Sequence, residues 1–169
     1  MRYVLGIDPG SEKSAYCMVD ALTMRPLSFG KVQNIGVLNI LRRESKSKSV
    51  EMDVVIEQVV SYGMPVGREV FQTCEWIGRY KQVAYDFCVS FHDMPRKEVC
   101  IELCHSAKAG DSNVRRALID LFAEHDLKNG KGTKNNPDWF SGFSADMWSA
   151  YAIAYTFIKH EELGASCRV

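Results

Sequence analysis

Three acidic residues, far apart in the sequence, stand where carboxylates can act on a phosphodiester. Asp8 ends the first strand-like run of the chain, Glu57 ends the apolar run Val54–Ile56, and Asp146 stands at the start of a final helical segment. Phosphodiester hydrolysis needs an activated water and stabilised charge on the leaving oxygen, which two divalent cations about 3.5–4 Å apart can supply. Magnesium prefers carboxylate ligands that converge from separate elements. The three acids therefore predict a magnesium-dependent site that cleaves phosphodiesters.

Each carboxylate also has an ordinary structural explanation when it is taken alone. Asp8 is compatible with an Asp-Pro-Gly turn, and Asp146 with stabilisation of a helix N-terminus. Glu57 is compatible with a salt bridge to a helix residue such as Arg79. A carboxylate at the end of an apolar strand, however, needs a cation or hydrogen-bond donors to offset its desolvation. Two strand ends and a helix start together favour a shared catalytic role.

The elements that must position these acids follow from the apolar patterns. Strand patterns cover the run to Ile7, Ser14–Val19, Leu27–Val32, Val54–Glu57, Cys88–Phe91 and Cys100–Leu103. Helical patterns cover Ile35–Leu41, Gly67–Asp86, a segment capped by Asp111 or Ser112 that carries Val114 to Leu121, and a last helix from about Ser144 to about Glu162. This order predicts an α/β fold: a mixed sheet with three antiparallel strands plus parallel strands, and helices on both faces. We expect one domain over residues 1–169.

The composition bounds the function without deciding it. Lys and Arg number 21, as do Asp and Glu, and this zero net charge counts against a nucleic-acid partner. Basic clusters at 42–48 and 128–134 nevertheless leave room for local contacts with DNA. No apolar run approaches the roughly 20 residues that span a bilayer, and the N-terminal run is strand-like rather than a signal sequence. We therefore expect no membrane partner and a cytoplasmic location.

The segments around the three acids resemble the motifs of RuvC-type Holliday junction resolvases. Residues 6–11, Gly-Ile-Asp-Pro-Gly-Ser, resemble the first motif, and residues 56–59, Ile-Glu-Gln-Val, resemble the second. Asp146 followed by Ser-Ala-Tyr-Ala-Ile-Ala at 149–154 resembles the last motif. The segment 106–114 lies where that family has a basic stretch before a helix. The matches keep the family order over nearly the whole chain.

The resemblance implies a ribonuclease H-like fold, a homodimer, and nicking of two DNA strands at a branch point. It implies dependence on Mg²⁺, with Mn²⁺ able to substitute, and it gives catalytic and metal-binding roles to Asp8, Glu57 and Asp146. We expect Asp8 to bridge two ions, with Glu57 on one and Asp146 on the other. The long helix from Gly67 is the predicted dimer surface, because Trp76 and Tyr80 lie one turn apart on one side of it.

One acid of the family pattern has no counterpart in this chain. When the alanine spacing is preserved, the fourth family acid falls on Ser149. If Asp146 is instead taken as that fourth acid, Phe143 occupies the preceding acidic position. In either alignment one ligand is missing, and we expect water or Ser149 to complete a metal shell and the second ion to bind weakly.

The expected contacts with DNA are mainly phosphate contacts, which read branch shape rather than base sequence. Lysines that the family places near the scissile bond fall on Cys100 and Asp111, and Lys108 is the candidate substitute. The residues predicted to contact DNA are Arg79, Lys108, Lys131, Lys134 and, as an aromatic wedge at the branch, Tyr62.

The predicted function is that of a metal-dependent, structure-selective endonuclease for branched DNA such as Holliday junctions. Three alternatives remain open. The chain is also compatible with a weakened or inactive RuvC-like module that only binds DNA, and with a nuclease for forks, flaps or RNA–DNA hybrids. An ATP-binding protein of the same fold is the third, although a single short domain leaves little room for its second phosphate loop.

Overall fold

The computed structural model describes residues 2–46, 51–61, 63 and 65–166. Tyr62, the predicted aromatic wedge, lies outside the described residues. The strands are β1 (Arg2–Asp8), β2 (Lys13–Asp20), β3 (Pro26–Gln33), β4 (Glu51–Gln58) and β5 (Ser90–Pro95). The helices are α1 (Asn34–Glu44), α2 (Arg68–Asp86), α3 (Arg96–Cys104), α4 (Asp111–Phe122) and α5 (Met147–Ser166). None of the helices within the described ranges has the length and apolar character to cross a membrane.

The strands form one sheet in the order β3-β2-β1-β4-β5. β1, β2 and β3 are antiparallel neighbours, as a meander with short connections requires. β4 runs parallel to β1, and β5 runs parallel to β4. These parallel strands need crossovers, which α1 and α2 supply. The predicted mixed sheet is confirmed.

The sheet is covered by helices on both faces, as predicted. Leu5 and Ile7 of β1 pack on one face in a core that includes α1 and α2. The alternate residue Val4 faces the other core, which includes α3, α4 and α5. Residues 150–158 of α5 are all buried, because this helix lies between the sheet and the outer helices. Cores on both faces explain the unbroken apolar run of β4.

The prediction of a strand at Cys100–Leu103 is wrong. These residues belong to α3, whose buried side chains are Val99, Cys100 and Leu103. A run of four mostly apolar residues cannot distinguish a strand from a buried helical turn. The strand expected over Cys88–Phe91 begins later, at Ser90, because α2 ends at Asp86 and the left-handed residue Cys88, with φ of 54°, belongs to the turn that follows it.

Two predicted helix starts also differ from the structure. α4 is capped by Gly110, so Asp111 is its first residue and Ser112 its second. α5 begins at Met147 rather than near Ser144. Asp146 therefore precedes the helix instead of lying in its first turn, which leaves its carboxylate outside the helical turn and available to the neighbouring strands.

Candidate active site

Asp8 and Glu57 stand side by side at the carboxyl ends of two parallel strands. β1 and β4 are in register up to Ile7 opposite Ile56, so Asp8 and Glu57 are the next residues on neighbouring strands. Side chains alternate between sheet faces along a strand. Asp8 and Glu57 consequently share the face of Val4, which is the face covered by α5. The register thus brings two of the three predicted acids together.

Asp146 approaches the same edge of the sheet from the residue before α5. Its carbonyl accepts the N–H of Ala150 at 3.0 Å, and Ala145 before it has φ of 36°, which only a few non-glycine residues adopt. α5 lies directly against β1 at Gly6, where an added Cβ would be 2.1 Å from the carbonyl oxygen of Ala150. This backbone contact sets the position of Asp146 relative to Asp8.

Glu57 and Asp146 lie close enough to Asp8 for their charges to act on it. Burial raises the pKa of Asp8 to about 7, and repulsion from Glu57 and Asp146 acts in the same direction. Burial also raises the pKa of Glu57. Like charges and low solvation both disfavour ionised carboxylates. An added cation at this edge would therefore relieve a repulsion that the positive side chains of the protein offset only in part.

Lys31 is a site residue that the sequence analysis missed. Asp8 pairs with Ala15 of β2, and Ala15 pairs with Lys31 of β3. Directly paired residues face the same side of a sheet, so Lys31 lies in one cross-strand row with Asp8. Its ammonium group forms an ion pair with Asp146 and acts to lower the pKa of Asp8. The pairing of the three strands, and not the local sequence, places Lys31 beside the acids.

Arg96 is the second positively charged residue at this site that the sequence analysis missed. β5 is parallel to β4, with Glu57 opposite Met94, and α3 starts two residues later with Arg96. The guanidinium forms an ion pair with Asp111 and acts to lower the pKa of both Asp8 and Glu57. Arg96, the first residue of α3, therefore places a positive charge near Asp8 and Glu57.

A buried polar network supports the turn that follows Asp8. The Ser14 hydroxyl donates to the Asn34 side chain at 2.7 Å and lies 3.1 Å from the Tyr80 hydroxyl. The N–H of Gly10 donates to Ser14, and Asn34 donates to the carbonyl of Gly10. Tyr80, predicted with Trp76 to lie on a dimer surface, is instead fully buried, because its hydroxyl completes this network and its ring fills the core between α1 and α2.

The donor set suits a hard divalent cation, although only in part. Asp8 and Glu57 offer the carboxylate oxygens that Mg²⁺ prefers, and the repulsion among the acids is only partly offset by Lys31 and Arg96. In the described ranges, no three His, Cys, Asp or Glu side chains are grouped so as to hold a metal ion by themselves. Asp146 is engaged by Lys31, and Ser149, one of the two positions where the family acid is predicted to be missing, is the third residue of α5. Asp8 and Glu57 are the residues that would hold a first cation, and a second cation at Asp146 would compete with Lys31 for that carboxylate.

The residues predicted to contact DNA are divided between two faces. Lys108 is exposed in the turn between α3 and α4, and Lys131 and Lys134 lie in the loop between α4 and α5. These elements belong to the side of the sheet on which the acids lie. Arg79 is on α2, which packs on the opposite face. Lys108, Lys131 and Lys134 therefore lie on the same side of the sheet as the carboxylates. Arg79 lies on the opposite side.

Comparison with solved structures agrees with this architecture. The structure of Thermus thermophilus RuvC aligns with a TM-score of 0.69 at 19% sequence identity, over 96% of each chain. T. thermophilus RuvC in complex with a Holliday junction substrate aligns with a TM-score of 0.71 at 16% identity, again over 96% of each chain. No protein-family model and no curated protein matches the sequence.

The mixed sheet with helices on both faces, its strand order and these alignments define a ribonuclease H-like α/β fold. More particularly, the chain has the RuvC-type form of that fold, as the sequence motifs predicted.

Proposed function

We propose that this protein is a divalent-metal-dependent, structure-selective endonuclease that cleaves branched DNA, with Holliday junctions as the expected substrate, and that it acts as a single cytoplasmic nuclease domain. One observation carries the proposal. Asp8 and Glu57 share one face at two adjacent strand ends, and Asp146 adds its charge to theirs. A RuvC-type fold with acids in this arrangement is suited to phosphodiester hydrolysis.

Asp8 and Glu57 would hold a Mg²⁺ or Mn²⁺ ion, and Asp146 would take part in holding a second. Bound divalent ions supply activation of water and stabilisation of the charge on the leaving oxygen. The chain itself contributes positive charge from Lys31 and Arg96, which face the same carboxylates. These two side chains attract the scissile phosphate towards the acids, which alone would repel it.

DNA affinity would come from phosphate contacts on the carboxylate side of the molecule, through Lys108, Lys131 and Lys134. Arg79 is retained as a proposed contact of a separate surface, because α2 is on the other face. A homodimer, implied by the RuvC resemblance, would present two such sites to one branched substrate. α2 exposes Phe71 and Tyr85 and remains the proposed dimer surface.

The proposal is tested by Asp8→Asn, with Asp86→Asn as a matched control at the exposed end of α2. In Mg²⁺, Asp8→Asn should reduce cleavage of a four-way junction by roughly a thousandfold or more, because bound metal contributes several kcal/mol of transition-state stabilisation. Junction binding in a gel-shift assay should persist. Cleavage by Asp8→Asn at the parental rate would refute the proposed site.

A second candidate function is a DNA-binding module that has lost cleavage. The observation in its favour is that Lys31 is paired with Asp146 while Ser149 stands where the resembled family has an acid. Parallel assays on four-way and linear duplex DNA with Mg²⁺, with Mn²⁺ and without metal separate the two functions. Junction binding without cleavage in either metal would establish the non-catalytic module.

A further inference from the structure

The turn that follows Asp8 lies beyond the paired part of β1. The pairing of β1 with β2 ends at Asp8 opposite Ala15, so residues 9–12 leave the sheet between the two strands. The Asp8 carboxylate is repelled by Glu57 and Asp146, and this repulsion favours movement of Asp8 away from them. The position of the carboxylate therefore depends on what holds the chain immediately after it.

Gly10, in this turn, is held through both its N–H and its carbonyl group. The N–H donates to the Ser14 hydroxyl at 3.2 Å, and the carbonyl accepts the side-chain amide of Asn34 at 2.9 Å. The backbone N–H of Asn34 also donates to the carbonyl of Glu12 at 3.0 Å. An added Cβ at Gly10 would lie 2.3 Å from the carbonyl oxygen of Lys13. The turn is therefore both tightly packed and tied to the start of α1.

The donor and acceptor roles in this network follow from its chemistry. Asn34 donates its amide to Gly10, which leaves its Oδ1 atom as an acceptor, and Oδ1 lies 2.7 Å from the Ser14 hydroxyl. A hydroxyl has a single hydrogen, so Ser14 donates it to Asn34 and accepts from the Tyr80 hydroxyl, 3.1 Å away. Burial raises the pKa of Tyr80 to about 12, so the phenol keeps the proton that it donates. The chain of donors thus begins on α2 and ends at the carbonyl of Gly10.

The network lies on the face of the sheet opposite to the acids. Ser14 precedes Ala15, the partner of Asp8, so the side chains of Ser14 and Ala15 point to opposite faces. Tyr80 reaches Ser14 from α2, which packs on the face away from the acids. The side chains of Ser14, Asn34 and Tyr80 belong to residues that are at most 1% exposed. They therefore act on the acids through the backbone of the turn.

A buried polar network rigidifies the segments that it joins when every member has a partner, and it is costly when a partner is missing. Here the segments joined are β2, the start of α1, the middle of α2 and the turn after Asp8. Groups that orient metal-binding side chains from behind change metal affinity by about 10- to 100-fold when they are removed. The network therefore has the position and the chemistry of a support for a metal ligand.

We propose that the side chains of this network are positioning residues for Asp8. These side chains are those of Ser14, Asn34 and Tyr80. They hold the turn from behind the sheet and so keep the Asp8 carboxylate beside Glu57 against the repulsion between the acids, in place for a divalent cation. The inference rests on the proposed nuclease function for its effect on cleavage, and on the metal site alone for its effect on cation binding.

The test measures Mn²⁺ binding in the absence of DNA, from the EPR signal of free Mn²⁺, and counts only the site that Asp8→Asn removes. Ser14→Ala deletes the hydroxyl that both Gly10 and Tyr80 contact, and it should weaken Mn²⁺ binding at this site by about tenfold. Tyr80→Phe deletes one donor and keeps the ring that fills the core, and it should weaken binding by about threefold. If Ser14→Ala fails to fold, Tyr80→Phe decides the question alone.

Each variant has a matched control towards the turn between β2 and β3, away from Asp8. Ser28→Ala removes a serine hydroxyl that lies 3.3 Å from the Tyr16 hydroxyl. Tyr151→Phe removes the hydroxyl of a buried tyrosine, which donates to the carbonyl of Met24 at 2.8 Å. Both controls should bind Mn²⁺ as wild-type protein does. Equal Mn²⁺ affinity in wild-type protein and in both network variants would overturn the inference, whatever the variants do to the free energy of unfolding.

Cleavage of a four-way junction at saturating Mg²⁺ gives a second readout. Ser14→Ala should lower kcat by about tenfold, because a small displacement of a reacting group is costly in rate, and should leave KM for the junction unchanged. A higher KM with unchanged kcat would overturn the inference, since the network would then act on DNA binding. If wild-type protein binds Mn²⁺ at Asp8 but cuts no junction, the proposed function fails and the Mn²⁺ affinities still decide the inference. Wild-type protein that binds no Mn²⁺ at Asp8 would overturn both.

Discussion

Two aspartates of this protein, the half-buried Asp8 and the buried Asp138, lie in opposite environments. Burial raises the pKa of Asp8 to about 7, and the charges of Glu57 and Asp146 act in the same direction. Burial also acts to raise the pKa of Asp138, but the backbone N–H groups that donate to it outweigh that effect and hold the pKa well below its usual range. The charge of an aspartate is therefore only partly compensated at the sheet edge, whereas it is fully compensated in the loop after α4.

The two carboxylates differ in whether the folded chain supplies enough groups to stabilise their negative charge. Most of the donors to Asp138 belong to the loop 124–138 itself, so the loop folds around the charge. The neighbours of Asp8 are other acids brought to it by the sheet and by α5. Repulsion of this kind lowers the free energy of unfolding, and active sites of proteins often retain it at that cost.

The largest expected effect is a gain in stability from Asp8→Asn. The pKa of Asp8 is about 7 in the folded protein and about 3.9 in an unfolded chain. The folded state thus binds the proton more tightly, and the stability of the wild-type protein falls as the pH rises from about 4 to about 7. At about 1.4 kcal/mol for each pKa unit, Asp8→Asn should raise the free energy of unfolding at pH 8 by up to about 4 kcal/mol in metal-free buffer.

Urea unfolding in EDTA at pH 8 and at pH 4 measures this effect. The gain should be present at pH 8 and absent at pH 4, where the wild-type carboxyl group is protonated in the folded protein. A variant less stable than wild type at pH 8 would break the comparison, because Asp8 would then be a compensated residue like Asp138.

Asp138→Asn is expected to have the opposite sign. An amide side chain turns an N–H group towards backbone donors and leaves buried polar groups unsatisfied, which should lower the free energy of unfolding by about 3 kcal/mol at pH 7. Because the folded pKa of Asp138 is depressed, its contribution is present above about pH 4 and is lost as the pH falls further. The difference between variant and wild type should therefore shrink in acid.

Thermal unfolding over a pH series provides the measurement. Asp20→Asn is the control, since Asp20, the last residue of β2, also accepts two backbone N–H groups, but in hydrogen bonds exposed to solvent. Its loss should be clearly smaller. Equal losses for the two variants would mean that burial of the Asp138 hydrogen bonds adds nothing.

The smallest expected effect comes from Lys31→Ala, which sharpens the comparison by removing one of the few compensating charges near Asp8. The Lys31–Asp146 ion pair is half-exposed and worth at most about 1 kcal/mol. Its removal frees Asp146, so the Mg²⁺ concentration at half-maximal thermal stabilisation should fall about two- to fivefold. Lys159→Ala, which breaks an exposed pair with Glu162, should not change that midpoint. A higher midpoint for Lys31→Ala would show that Lys31 assists metal binding.

Features that depend on local sequence were predictable. The apolar runs before Asp8 and Glu57 predicted two strand ends, and the alanine-rich segment predicted the helix α5. The mixed sheet followed from the order of these elements. The strand expected at Cys100–Leu103 failed because burial of one helical face and burial of a short strand leave the same local pattern.

Features that depend on strand pairing were not predictable. Lys31 reaches the site only through the row that joins Asp8, Ala15 and Lys31 across three strands. Arg96 reaches it only because β5 lies beside β4. Neither position has a local signal, since an exposed lysine near a strand end and an arginine after a proline are ordinary surface features. Sequence alone therefore revealed the acids and not the cations that face them.

The contact between α5 and β1 has a consequence for how the site tolerates change. Gly6 is two residues before Asp8 and has no polar role, yet a methyl group there would collide with the backbone of α5 at Ala150. Such a wedge would lift the whole helix and carry Asp146 away from Asp8 without altering one charge or one hydrogen-bonding atom. The relative position of Asp8 and Asp146 therefore depends on the absence of a side chain at Gly6, a residue that takes no part in the chemistry.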